Sequence, residues 1–155
     1  MTELGAIDVT ILRMLQANAR ERLETIAYEA GSSIATVQRR IKHLRANGVI
    51  QGDEARVSPE AVGFKMTFVV LVELERERID QLDAFRRKIR AEPRVQQCYY
   101  ITGEADFALI VLAKDMLDFE SLTHKLFFED KNVKRFRTSV VMDRTKVGLD
   151  IPLSE

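Results

Sequence analysis

The apolar positions of this chain fall into two textures. In the first third they recur at three- and four-residue steps, the spacing of one face of an α-helix. Ile7, Ile11, Leu12 and Leu15 predict a helix from about Ala6 to Ala17, with Asp8 in a first turn where the helix dipole favours an acid. Leu23, Ile26, Ala27 and Ala30 predict a second, shorter helix ended by Gly31, a natural C′ residue. Ile34, Val37, Ile41 and Leu44 form the stripe of a third. Ser33 opens it, because its hydroxyl can accept a bond from the first-turn N–H groups, and Asn47-Gly48 stops it. Two short helices joined by the turn Gly31-Ser32-Ser33 make a helix-turn-helix. Val49, Ile50, Ala55 and Val57 then read as a short apolar ribbon around Gly52-Asp53-Glu54, in the position of a wing.

Beyond Pro59 and Gly63 the period changes. Phe64 to Glu75 alternates and is rich in β-branched and aromatic residues, which predicts a strand. Ile79, Leu82, Phe85 and Ile89 give a helix stopped at Glu92-Pro93. Strands follow at Val95 to Thr102 and Asp106 to Ala113, around the turn Gly103-Glu104-Ala105. Met116, Phe119, Leu122, Leu126 and Phe127 mark another helix, and Val133 to Met142 a last strand. Strand-helix-strand twice over is the plan of a ferredoxin-like βαββαβ sandwich. The expected class is therefore α+β: a winged helix-turn-helix domain over residues 1–52, a linker over 53–63 and a ferredoxin-like domain over 64–155. Such a sheet carries helices on one face only. Strand one is apolar on both faces, with Met66, Phe68, Val70 and Val72 on one and Val69 and Leu71 on the other. An open apolar face marks a partner surface, and a two-fold dimer of the chain covers it most economically.

Charge sharpens the picture around the third helix. The 155 residues balance 24 basic against 24 acidic side chains, so any electrostatic footprint is local. Between Ala30 and Gly52 stand Arg39, Arg40, Lys42 and Arg45 with no acid. At about 100° per residue, Ala35, Arg39 and Lys42 lie opposite the apolar stripe, Thr36 and His43 beside them, and Gln38 and Arg40 on its flanks. A short helix with a buried stripe and a basic, small-residue outer face suits the major groove of DNA. The competing reading is a solvated surface helix; the two helices before it and the ribbon after it favour the groove.

These elements, taken with their motifs, resemble the Lrp/AsnC (leucine-responsive/asparagine-responsive, "feast/famine") family of prokaryotic transcription regulators. The likeness covers nearly the whole chain. It rests on Leu4-Gly5-Ala6-Ile7-Asp8 with Ile11-Leu12, on the run Ser33 to Leu44, on Gly48-Val49-Ile50, on Val95 and Gly103-Glu104-Ala105-Asp106, and on Thr138 to Met142 with Lys146. The resemblance implies that paired helix-turn-helix heads read double-stranded DNA from a dimer whose RAM/AsnC-type core assembles further into tetramers, octamers or a larger disc. Ser33, Ala35, Thr36, Gln38, Arg39, Arg40, Lys42 and His43 are the expected DNA-binding residues. It also implies an amino-acid effector held between dimers, with no cofactor, metal or membrane partner. Backbone N–H groups of the turn Gly103 to Asp106 would hold its α-carboxylate, and Asp106 its α-amino group. Glu104 and Ala105 in that turn, and Tyr100, Thr102, Ser139 and Val141 on what read as adjacent strand ends, complete the expected effector set. The competing reading of Asp106 is a turn-capping carboxylate.

The chain departs from the family pattern at several points. Ala105 stands where an aromatic residue usually precedes the aspartate, and Glu21-Arg22 stand where an apolar residue and Ser usually open helix two. Ser32 replaces a leucine in the turn, and Phe128 to Asn132 replace a Leu-Pro-Gly approach to the last strand.

Other chemistry is sparse. His43 and His124 are the only histidines and lack the spacing of a zinc site. A single cysteine, Cys98, excludes an internal disulfide framework and fits a reducing cytoplasm; in a strand it reads as a small buried hydrophobe. Tyr99-Tyr100 read as sheet packing and Arg86-Arg87-Lys88 as a solvated helix face. No apolar run approaches the roughly 20 residues of a membrane span, and no signal-peptide pattern opens the chain. Phosphate loops, nucleophile elbows and paired catalytic carboxylates are absent from the sequence, so the expectation is a cytoplasmic DNA-binding regulator and not an enzyme. Two alternatives stay open: a sirohaem-decarboxylase-like enzyme of the same two-domain plan, and an assembly or sensing partner whose DNA head has lost its function.

Overall fold

Two separate hydrophobic cores organise the chain. A computed structural model describes residues 4–153. One unit runs to Arg56 and takes in the chain again from Lys146; the other is Val57–Thr145. No helix among the described residues is long and apolar enough to cross a membrane.

The first unit holds α1 (Ala6–Ala17), α2 (Leu23–Glu29) and α3 (Ile34–Ala46). Ile11, Leu12, Ile26, Ala27, Val37 and Leu44 form its core. Ile34, expected in the buried stripe of α3, is 43% exposed instead, because it is the first helical residue and overhangs the turn. Gly31 has φ +57°, a backbone few side chains tolerate, and the N–H of Ser32 closes on the carbonyl of Ala27. The expected wing does not form: residues 51–57 make no strand, and Val49 and Ile50 pack against the helical core. The stretch from Lys146, expected with the sheet, joins the helices. Gln16 Nε2 donates to the carbonyl of Ile151 at 3.1 Å, Gln16 Oε1 accepts from its N–H at 2.7 Å, and Leu153 packs on the core.

The second unit is a four-stranded antiparallel sheet in the order β2-β3-β1-β4, with β1 (Met66–Leu74), β2 (Val95–Tyr100), β3 (Phe107–Ala113) and β4 (Val133–Val140). Side chains alternate across a strand, so the register Phe68↔Val111, Val70↔Leu109, Val72↔Phe107 gathers buried residues on one face. Against them pack Leu82, Phe85 and Ile89 of α4 (Ile79–Arg90) and Phe119 and Leu122 of α5 (Met116–Thr123). Phe119 stacks on Phe68 with ring centroids 3.8 Å apart. The predicted continuation of α5 is a π-helical turn, His124–Phe128, in which the N–H of Glu129 reaches the carbonyl of His124. Lys88 Nζ donates to the carbonyl of Leu126 at 2.5 Å and to Asp130, so this lysine fastens the turn and is not merely solvated. On the other face Val69, Leu71, Ile110 and Leu112 are half-buried, away from the core that α4 and α5 cover. Cys98 is exposed on the edge strand β2, not buried as expected.

Candidate nucleic-acid interface and effector site

The first turn of α3 is built by hydroxyls. Ser33 Oγ accepts from the N–H of Thr36 at 3.2 Å, and the two hydroxyl oxygens lie 2.9 Å apart. Ser33 and Thr36 thus hold the helix start, while Ala35 between them is exposed. Gln38, Arg39 and Lys42 are also exposed, and none has a hydrogen bond or ion pair with the described residues. His43 is exposed but tied to Asn47, whose Nδ2 lies 2.9 Å from its Nε2. Arg45 reaches Asp53 at 2.7 Å.

Arg40 differs from its neighbours. Its guanidinium grips Asp8 of α1 through Nε, at 2.7 Å, and through Nη2. Asp8 is 1% exposed and also accepts from the N–H of Gly5 at 3.1 Å. The hydrogen bond from Arg40 holds the Asp8 carboxyl below its ordinary range against the opposing effect of burial. Expected as a DNA contact, Arg40 is an internal link between α1 and α3. Asp8 was legible in the sequence only as an acid suited to a helix start; its partner 32 residues away was not. At α2, Arg22 occupies the N-cap position and makes no side-chain cap bond.

The turn between β2 and β3 gathers Tyr100, Thr102, Gly103, Glu104, Ala105 and Asp106. Gly103 has φ +115°, which side-chain-bearing residues rarely adopt. Thr102, Gly103 and Glu104 are exposed, Ala105 is buried, and Asp106 lies between. Asp106 Oδ2 accepts from the N–H of Leu74 at 2.6 Å, at the point where the β1–β4 register shifts between Glu73 and Leu74. The carboxylate thereby satisfies a β1 N–H that faces β3 just past the last β1–β3 pair, Val72↔Phe107, and so ties the turn to the neighbouring strand; it does not cap its own turn. Arg137 Nη2 reaches Glu104 at 3.2 Å. Tyr100 donates its hydroxyl to Glu77 at 2.8 Å under the guanidinium of Arg86, and the bond to Glu77 raises its pKa.

Ser139 and Val141 do not join this group within one chain. Ser139 pairs with Val69, and the N–H of Val141 with the carbonyl of Thr67, both toward the start of β1. The turn adjoins the other end of β1, about 13–20 Å away along the strand at 3.3 Å per residue. Strand order was legible, but which strand ends coincide depends on register, which the alternation alone leaves open.

A family model described as the Lrp/AsnC ligand binding domain matches residues 67–150, and one described as the AsnC-type helix-turn-helix domain matches residues 4–45. The chain is 46% identical over 151 residues to an uncharacterized HTH-type transcriptional regulator of Sinorhizobium fredii, covering 97% of this chain and 89% of that protein. It is similar to the solved structure of a transcriptional regulator from Neisseria meningitidis in complex with L-Met, with a TM-score of 0.90, 27% identity and 97% of each chain covered. It is likewise similar to a feast or famine regulatory protein from M. tuberculosis complexed with L-methionine, with a TM-score of 0.84 and 30% identity over 94% of this chain and 96% of that one.

Proposed function

Since the chain belongs to the Lrp/AsnC family of transcriptional regulators, we propose that it reads double-stranded DNA with the outer face of α3 and that an amino acid bound near the turn 103–106 modulates that reading. One observation carries the DNA reading: Gln38, Arg39 and Lys42 stand exposed together on one helix with no partner among the described residues, while the neighbouring Arg40 and Arg45 are paired. Ala35 adds a small side chain that lets the backbone approach the groove. Arg suits guanine and Gln suits adenine. Ser33 and Thr36 serve the interface by holding the helix start, and His43 lies at its margin.

Two heads on a dimer would read a pseudo-palindromic site with half-sites one or more helical turns apart. The half-buried face of Val69, Leu71, Ile110 and Leu112 supports dimerisation through the sheet. For the effector, the exposed backbone at Gly103 and Glu104 offers donors to a carboxylate, and the unengaged oxygen of Asp106 offers an acceptor to an ammonium group. The relatives' complexes with L-methionine make that amino acid the first to test. Assembly beyond the dimer would bring in Ser139 and Val141 from another copy, and a cytoplasmic location follows from the same reading.

In a gel-shift titration Arg39→Ala weakens binding by roughly 1–3 kcal/mol, with a thermal unfolding midpoint like that of the wild type. Unchanged affinity would remove Arg39 from the interface.

A further inference from the structure

Asp8 is buried and accepts three hydrogen bonds from the helical unit: from Gly5 N at 3.1 Å, from Arg40 Nε at 2.7 Å, and from Arg40 Nη2. Replacing such a buried ion pair with well-packed apolar residues is often neutral or stabilising, so stability alone is a weak reason for this one. Its geometry offers a stronger reason. The contacts that seat α3, through Val37, Leu44 and the half-buried Ile41, are apolar and non-directional. They select the buried face but carry no directional contact of their own. A planar guanidinium fork on a carboxylate is directional. The Gly5 N–H fixes the carboxylate to the first turn of α1, and the fork fixes Arg40 to the carboxylate. Successive helix residues differ by 100° and 1.5 Å, so indexing Arg40 sets the aim of Gln38, Arg39 and Lys42.

We infer that Asp8 and Arg40 are positioning residues for base recognition, setting the rotation of α3 through a link that touches no DNA. The inference rests on the reading that the outer face of α3 enters the groove. It separates two roles for neighbouring arginines: Arg39 reads, and Arg40 aims.

The test compares two probes across a range of salt concentrations, using the whole protein. One is the tightest duplex that the wild type selects from a random pool; the other is a random-sequence duplex of equal length. Asp8→Asn and Arg40→Gln are expected to lower the ratio of selected to random affinity by about tenfold, the scale of one lost base contact, with the slope of log K against log salt unchanged. A slope reduced by about 0.9 in Arg40→Gln means a phosphate contact and overturns the inference. Equal weakening on both probes means a loosened fold and overturns it as well. Arg40→Lys keeps the charge and loses the fork, at a position tolerant enough (35% exposed) to fold where Asp8→Asn does not; a wild-type ratio in this variant overturns the directional argument. Arg39→Ala separates the levels. If it leaves both probes unaffected, the groove reading itself fails; if it weakens the selected probe while Asp8→Asn does not, only the present inference fails.

Discussion

The two units differ in how their buried acids use cations. In the sheet unit they gather several into networks. Glu92, 3% exposed, accepts from Arg94 Nε at 2.7 Å and Lys125 Nζ at 2.9 Å; Arg94 also donates to Asp118 at 2.7 Å; and Glu73 holds both Lys134 and Arg135. In the helical unit one buried pair, Asp8–Arg40, stands beside side chains on α3 that are left open. Pairing within a chain consumes the potential that would attract an outside anion, so a chain with zero net charge can still offer a local positive surface. The contrast singles out a surface that total charge does not.

The contrast can be broken most severely in the sheet core. Phe119→Ala removes the ring stacked on Phe68, and the expected loss is about 3–5 kcal/mol, read by denaturant unfolding. Hydrogen exchange should place that loss in the sheet unit and leave α1–α3 protected as before; equal loss in both would mean that the cores are one cooperative system. Acid comes next. Arg94 and Lys125 hold the Glu92 carboxyl down at about 2 from an ordinary 4.5, with Asp118 as the other acid on Arg94. A depressed folded pKa gives stability that is complete above the ordinary value and lost as pH falls through the depressed one. Stability should therefore decline between pH 4.5 and 2, by on the order of 3 kcal/mol from this group, at 1.36 kcal/mol per unit, and by less where the exposed Lys125 is screened. Glu92→Gln should flatten that part of the curve; an unaltered acid profile would assign it to other carboxylates. The smallest effect runs the other way. Arg22→Ser supplies the cap that α2 lacks, and a gain of about 1 kcal/mol is expected, measured as a rise in the unfolding midpoint. If DNA affinity falls as the midpoint rises, Arg22 belongs with the open side chains of α3.

The hydrophobic periods placed the helices and strands, because burying one face is a local demand written at regular steps. The bounds of α1 and the cap at Ser33 follow from local rules of this kind. What escaped was whatever depends on residues far apart. Asp8 needs Arg40, the π-helical turn is fastened by Lys88, and the unpaired N–H of Leu74 explains Asp106. None of these partners lies within a turn of the other. The missing wing is a different failure. Four apolar residues around Gly52 satisfy a strand pattern, yet Val49 and Ile50 found a nearer apolar surface on the helices. The exposure of Ala35, Gln38, Arg39 and Lys42 was legible from the helical period, whereas the flank position of Arg40 hides a direction toward α1. The effector set was legible as a turn, and only a register could show that Ser139 and Val141 sit at the other end.

The clasp of Gln16 on Ile151 has a consequence for how this protein can be taken apart. The helical unit is discontinuous in the chain, since its core includes Leu153 from beyond the sheet. A head transplanted from a relative by exchanging the first 56 residues alone would carry a foreign seat for a native strap. The seam of such a chimera would run through the inside of the head and not along a linker. A faithful exchange moves two stretches, one on each side of the sheet unit.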